Sequence, residues 1–293
     1  MNRTLWPVPG NSQERFAGGS PVWSSSLIPT TSRLESTNVT RINPDSVPAP
    51  AFVLAERHKA GSSVWHKHRR AQLAYVSEGV LTVRTEHGLW VVPPQRAVWV
   101  LPGVRHSASS GGPYALCTLY VEPKVAALPP RCSVVAVEPL VRELLVAAGR
   151  FGYQYRKGSA EARLLRVILD RLPTLTITSL SLPEPSDKRL QRITRVLREH
   201  PSQARALPEL SRNSGLSYRT AERLFHRELG LTFREWRRHL RLLTALERLA
   251  AGDSVTNVAM DMGYTDVSAF IAMFKSALGL TPGQYFRANF PSA

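Results

Sequence analysis

One feature restricts the fold of this chain more than any other: a repeat near its end. Phe225–Thr232 reads FHRELGLT and Phe274–Thr281 reads FKSALGLT, so Phe, Leu, Gly, Leu and Thr recur in order 49 residues apart. Upstream, ELSRNSGLS answers NVAMDMGYT, with Gly215 and Gly263 in matching places 48 residues apart. Each copy has the layout of a helix-turn-helix. A short helix ends at a glycine that supplies the turn, and a second helix starts after a capping residue, Ser217 in one copy and Thr265 or Asp266 in the other. The second helices carry apolar anchors: Ala221, Leu224 and Phe225, then Phe270 and Phe274. Between the copies, TFREWRRHLRLLTALERLAAG reads as one amphipathic helix with Phe233, Trp236, Leu240 and Leu243 inward, ending at Gly252. The expectation is an all-α domain over residues 188–287, with helix-turn-helix motifs at about 207–228 and 255–278. Two helical hairpins packed for stability alone would not need the repeated turn glycine, the repeated exit motif and a basic surface together.

The charge agrees with a polyanionic partner. Net charge is +16, and residues 188–293 hold 17 Lys+Arg against 9 Asp+Glu, half of the excess in about a third of the chain. Such a field favours nucleic acid without implying sequence reading. A recognition helix supplies that second element: it enters the major groove, its first residues reach base edges, and flanking Arg and Lys hold phosphates. The first copy offers Ser217, Tyr218, Arg219, Glu222, Arg223 and His226. Arg219 is the candidate for a bidentate contact to guanine, and Arg223 serves equally as a phosphate clamp. The second copy offers Thr265, Asp266, Ser268, Ala272 and Lys275, a less basic set suited to positioning and apolar contact. Double-stranded DNA is the expected partner.

Ahead of this domain the pattern changes three times. Residues 1–50 are rich in Pro, Ser, Thr and Asn and read as a mostly disordered lead-in. Residues 51–125 hold short strand-like runs (QLAYV, VLTVRT, LWVV, AVWVL, YALCTLYVE) separated by turn residues, the mark of an all-β barrel or sandwich. Residues 126–172 read as helical, with EPLVRELLVAAG followed by EARLLRVILDRL. The stripe Leu165, Ile168, Leu169 and Leu172 either packs on the β domain or joins two copies of the chain in a homodimer. Residues 173–187 read as a linker, with prolines and no helical period. No run of apolar residues reaches the ~18 that a membrane span needs, so no membrane association is expected. The first residues hold no apolar stretch suited to a secretory signal. Two cysteines, Cys117 and Cys132, imply no disulfide framework and suit a reducing cytoplasm.

LSYRTAERLFHRELG, a long joining helix and GYTDVSAFIAMFKSALGLTPGQYFR together resemble the DNA-binding domain of AraC/XylS-type transcriptional regulators. The resemblance covers about 100 residues. Departures are modest: Ser211 stands where the family often has Ala, Ala221 where it often has Leu, and Ile271 and Ala272 replace a more polar pair. The β domain is similar to the cupin-type sensor domain of one branch of that family. The resemblance implies an α+β chain: an N-terminal cupin-like β-barrel, then the helical domain. It also implies a sequence-specific activator or repressor that answers a small-molecule effector, with RNA polymerase as a further partner and no enzymatic activity. The alternative is a cupin metalloenzyme with a helical appendage.

The histidines bear on that alternative. A cupin's first motif places two His one apart, an acidic residue four positions on, and a Gly seven later. Here those positions hold His66, His68, Gln72 and Gly79, and His106 would supply the second motif. These four, His66, His68, Gln72 and His106, are the candidate effector or metal residues. Three imidazoles can hold Zn, Ni or Cu. The missing carboxylate disfavours a catalytic Fe or Mn centre, and no resident cofactor is expected. Trp65, Tyr75, Trp90 and Trp99 are expected to fill the barrel rather than cage a ligand, and His87 to sit in an exposed turn.

Overall fold

A computed structural model describes residues 42–178, 180–202 and 205–289. Most of the expected lead-in, residues 1–41, lies outside the described residues. Residues 42–50, expected to belong to it, are instead docked on the β domain. The Asp45 carboxylate accepts the Arg69 backbone N–H at 3.0 and 3.1 Å. The guanidinium of Arg70, only 1% exposed, donates to Val47 O at 2.6 Å and Ala49 O at 2.8 Å. Glu122 pairs with Arg70 at 2.9 Å. A cation that deep persists only when charge and hydrogen bonds are both met, so the arginine binds this segment down.

The β domain consists of two antiparallel sheets. The first holds β1 (Ala51–His58), β3 (Ala71–Glu78), β6 (Arg96–Val100), β8 (Tyr114–Val121), β9 (Ser133–Ala136) and β10 (Ile177–Thr178), in the order β1-β8-β3-β6-β9-β10. The second holds β2 (Gly61–Ser62), β4 (Leu81–Thr85), β5 (Gly88–Val92), β7 (His106–Ser110) and β11 (Ser181–Pro183), in the order β11-β5-β4-β7-β2. The domain is cupin-like and β-rich, and its two sheets are not closed into one barrel. The segment expected as a linker carries β10 and β11, which add one edge strand to each sheet. Proline survives there because an edge strand leaves one side of its backbone unpaired.

The outer face of the first sheet packs on α1 (Pro139–Gly149) and α2 (Ala160–Arg171). Leu165, Ile168, Leu169 and Leu172 are each 4% exposed or less, against Leu73, Tyr75, Trp99 and Leu119 of the sheet. That stripe is spent inside its own chain and is closed to a second copy. Cys117 lies in the same core, where burial pushes its thiol up to about 11.

The helical domain comprises α3 (Lys188–Glu199), α4 (Leu207–Asn213), α5 (Tyr218–Leu224), α6 (Phe233–Ala250), α7 (Val255–Asp261), α8 (Val267–Leu278) and α9 (Pro282–Asn289), with a π turn over Phe225–Leu229 prolonging α5. The repeat has a plain physical cause. In each copy Leu-Gly-Leu-Thr stops one helix and starts the next: Gly230 and Gly279 are left-handed C-caps. Thr232 then makes a capping box with Glu235, and Thr281 exchanges hydrogen bonds with Gln284 in the same manner. Phe225 and Phe274 are fully buried in equivalent places.

Between the helix pairs, α6 runs 18 residues, ~27 Å at the α-helical rise. It packs against β5 and β11 of the second sheet, so one apolar core continues from the β domain into the helical domain. Two polar contacts fix its register. Trp236 Nε1 donates to Pro183 O at 3.1 Å, and the Thr82 hydroxyl donates to the half-buried Glu247 carboxylate. Burial raises the Glu247 carboxyl above the usual carboxylate range.

Two stability predictions follow from these contacts. Gly215 and Gly263 turn the two motifs at φ +72° and +78°. A Cβ at Gly215 meets nothing within 4 Å, whereas one at Gly263 would lie 2.7 Å from Ser202 O. Gly215→Ala should cost about 1–2 kcal/mol from backbone strain alone, and Gly263→Ala clearly more, read from denaturant midpoints. Equal costs would show that the Ser202 carbonyl gives way. Because the folded protein holds the Glu247 proton more tightly than the unfolded chain, this carboxyl's contribution is present at acid pH and fades as pH rises above its ordinary 4.5 through its raised folded value. Glu247→Gln should remove that downward slope from a stability-versus-pH series.

Candidate DNA interface and ligand cavity

In the first motif Ser217 caps α5, its hydroxyl accepting Thr220 N–H at 3.1 Å. The helix is pinned from below by Ala221, Leu224 and Phe225, all 2% exposed or less. The 3.6-residue period then leaves Ser217, Tyr218, Arg219, Glu222, Arg223 and His226 facing outward, and all six are exposed. The Tyr218 hydroxyl donates to the Glu222 carboxylate, which raises the phenol's pKa and engages the one acid on this face. Arg219 and Arg223 form no ion pair among the described residues, so both guanidiniums stay available to an outside anion.

In the second motif Asp266 caps α8, its carboxylate accepting Ser268 N–H at 2.9 Å. Thr265, Asp266, Ser268, Ala272 and Lys275 are exposed, as is Ala269, which the sequence reading did not single out. Of the departures noted above, Ser211 is buried and donates to Leu207 O at 2.7 Å, so its hydroxyl is satisfied within its own helix. Ala221 is buried without any exposed surface. Ile271 is half-buried against the helical core, leaving Ala272 as the outward member of that pair.

A cavity of about 700 Å³ lies between the two sheets. Strand alternation lines it from both sides. Leu54, Glu56 and His58 come from β1, and Tyr114, Leu116, Thr118 and Tyr120 from β8. Leu81 and Val83 of β4 and Ala108 of β7 line the opposite wall. His66, His68, Gln72 and His106, the four residues singled out from sequence, all reach it.

The backbone brings the histidines together. His66 and His106 form an antiparallel bridge, exchanging N–H···O bonds of 2.9 and 2.8 Å. Their ring centroids are 4.3 Å apart, and His68 stands 5.1 Å from His106 and 6.1 Å from His66. His68 and His106 are buried, His66 half-buried. Gln72, on β3 opposite Val100 and Tyr120, places its Oε1 at 3.0 Å from His68 Nε2.

The expected aromatics sit elsewhere. Tyr75 and Trp99 face α1 and α2, and Trp90 joins the core shared with the helical domain. Trp65 is 44% exposed beneath the Arg105 guanidinium, outside the main cavity. His87 is exposed in the turn between β4 and β5. The aromatic rings that do line the cavity belong to Tyr114 and Tyr120 of β8, at alternate positions of YALCTLYVE. That spacing was legible, but which face of β8 turns inward was not.

Comparison with known proteins agrees with both halves. Residues 49–229 match the model of the AraC-like ligand binding domain, and residues 210–288 match a helix-turn-helix domain. The chain is 37% identical over 237 residues to the HTH-type transcriptional regulator NimR of Escherichia coli K12, covering 81% of this chain and 87% of that one. It is also 37% identical to the transcriptional activator NphR of a Rhodococcus species, over 33% of this chain and 29% of that one. Among solved structures, unsaturated fatty acid bound ToxT from Vibrio cholerae aligns over 83% of this chain and 97% of that one, with a TM-score of 0.37 and 13% identity. A match to the AraC-like ligand binding domain over more than half of the chain, two helix-turn-helix motifs behind it and a relative matched over most of both chains place this protein in the AraC family of transcriptional regulators.

Proposed function

We propose that α5 and α8 read the promoter DNA of the genes this protein controls, and that a small molecule in the inter-sheet cavity sets how well they do so. One observation carries the coupling: a single strand layer separates the cavity from the DNA-reading domain. In β4, Leu81 and Val83 face the cavity while Thr82 between them points the other way and binds Glu247 of α6. In β7, Ala108 faces the cavity, and its neighbour Ser109 lines a smaller cleft together with Glu247 and Arg248. A ligand that shifts β4 or β7 therefore bears directly on the helix that sets the spacing of the two motifs. Differential contact of that kind is what an effector needs in order to move an equilibrium.

On the DNA side, Arg219 is assigned to a base edge and Arg223 to a phosphate or base, with Tyr218, Glu222 and His226 beside them. Ser217, Thr265, Asp266 and Ser268 sit at the helix starts, where backbone N–H groups meet phosphates. Ala272 and Lys275 give the second motif one apolar and one cationic contact. The protein is read as a regulator without catalytic turnover, acting in the cytoplasm, where both its DNA and the reducing conditions suited to its two free cysteines are found. A homodimer and contact with RNA polymerase complete the proposed partners. The exposed Leu140 and Val167, on the outer faces of α1 and α2, support the first.

Gel-shift titration against DNA upstream of the protein's own gene tests the reading. Binding should exceed that to random DNA and fall steeply with salt as counterions are released. Equal affinity for the two DNAs would defeat it. Arg219→Ala should cost about 1–3 kcal/mol and relax preference at one base position. A uniform loss over all sequences would make Arg219 a phosphate contact instead.

A further inference from the structure

The first half of α6 carries four arginines, Arg234, Arg237, Arg238 and Arg241, and the fold uses them in two ways. Two are spent inside the helical domain. Arg237 donates to Arg205 O at 3.2 Å and lies over the Phe233 ring. Arg241 donates to Pro201 O at 3.2 Å and covers the Tyr264 ring. Arg234 and Arg238 are exposed and make no ion pair or side-chain hydrogen bond among the described residues. Two like charges four residues apart on a helix repel, so folding gains nothing from this pair.

Their direction follows from the helix period. Trp236 and Glu247, which bind Pro183 O and the Thr82 hydroxyl, mark the face of α6 turned to the second sheet. At 3.6 residues per turn, Arg234 and Arg238 lie about 160° and 200° around the axis from Trp236, so both face away from the β domain. Each motif also has an end beside them. The Glu235 carboxylate is in the field of Arg238 and of His226, on the outward face at the end of α5. Arg238 acts in turn on Tyr264, the residue before Thr265 and Asp266 at the start of α8. Glu235 itself is committed to its cap, accepting from the Thr232 N–H and hydroxyl at 2.8 Å each.

We propose that Arg234 and Arg238 clamp phosphates at the centre of the DNA site, between the two major-groove segments that α5 and α8 enter. The inference rests on the DNA-binding reading of those two helices. Guanidinium groups meet phosphate oxygens bidentately, which suits arginine to this task. Four residues of helix span about 6 Å, and phosphates of one strand follow every ~3.4 Å of DNA axis, so each arginine can take its own phosphate. Phosphate contacts fix register without reading sequence, so the central bases would be tolerated while the backbone there is held. The second motif, whose own outward face is less basic, gains from α6 the anchoring it lacks.

The test is a salt series of gel shifts with the full chain, on the upstream DNA and on random DNA. Arg234→Gln combined with Arg238→Gln should weaken both complexes roughly tenfold at ~0.15 M salt and flatten the slope of log affinity against log salt by about two. Base preference, circular dichroism and Tm should stay close to the parent, because both side chains are exposed. Lys124→Gln combined with Arg131→Gln removes the same charge from exposed positions between β8 and β9, and should leave the slope in place. An unchanged slope in the α6 variant, or equal flattening by the β-domain variant, would overturn the clamp. Loss of preference at particular base pairs would overturn it too, by making the arginines base readers. With the parent protein, ethylation of phosphates midway between the two major-groove segments should block binding, and blocking confined to the outer phosphates would count against the clamp. If the parent prefers the upstream DNA and the α6 variant binds like it, the regulatory reading stands and the clamp falls. If the parent shows no such preference but the α6 variant still flattens the slope on random DNA, the clamp stands and the regulatory reading falls.

Discussion

The packing of the second sheet against α6 is the contact on which the rest of the protein depends. A β domain and a pair of helix-turn-helix motifs could be strung on a flexible tether, each with its own core. Here one apolar core runs from Val83, Trp90 and Val92 of the sheet to Trp236, Leu240 and Leu246 of the helix. Pro183 O and Thr82 supply the hydrogen bonds that set its register. Burial gives this contact its strength and the two polar contacts give it a single position, since apolar surfaces alone slide past one another at little cost. The helix that joins both helix-turn-helix motifs is therefore held by the wall of the inter-sheet cavity.

The helical domain follows from local rules applied twice. Each motif needs a left-handed turn residue, a capped second helix and a phenylalanine anchor, and the chain supplies Gly215, Ser217 and Phe225, then Gly263, Asp266 and Phe274. Because the anchors of α5 and α8 (Ala221, Leu224 and Phe225, then Phe270 and Phe274) are buried, the outward residues carry little of the fold and are free to differ between the copies. The basic first face and the smaller, nearly neutral second face differ for that reason, not through any difference in fold.

The β domain shows how two sheets turn an ordinary alternation into one lined cavity. Strand parity places Leu54, Glu56 and His58 on one wall and Leu81 and Val83 on the other, and the chain then brings residues 66, 68, 72 and 106 into one corner. Arg70 belongs to the same local design. It sits two residues from His68, fully buried, and its backbone carbonyl holds the His68 ring while its guanidinium fastens residues 47 and 49 beneath. The segment before β1 and the histidine corner are thus fixed by one residue.

Much of this was legible from the amino-acid order, because short-range physics fixes it. Turn glycines, capping residues and 3.6-residue apolar spacing act within a few residues, so the repeat, the outward faces of α5 and α8 and the helical stripe of α2 could be read directly. The His-x-His pair and its glutamine were visible for the same reason. What the amino-acid order left open depends on contacts between distant segments. Whether Leu165 and Ile168 meet their own sheet or another chain, whether residues 173–187 hang free or add a strand to each sheet, and whether Tyr120 rather than Trp99 faces the cavity are all such questions. Periodicity separates an element's two faces but does not say which neighbour covers each. Only the closure of long loops into one core decides that, and in this protein it also decided that the inter-sheet cavity and the helix joining the two helix-turn-helix motifs share a wall.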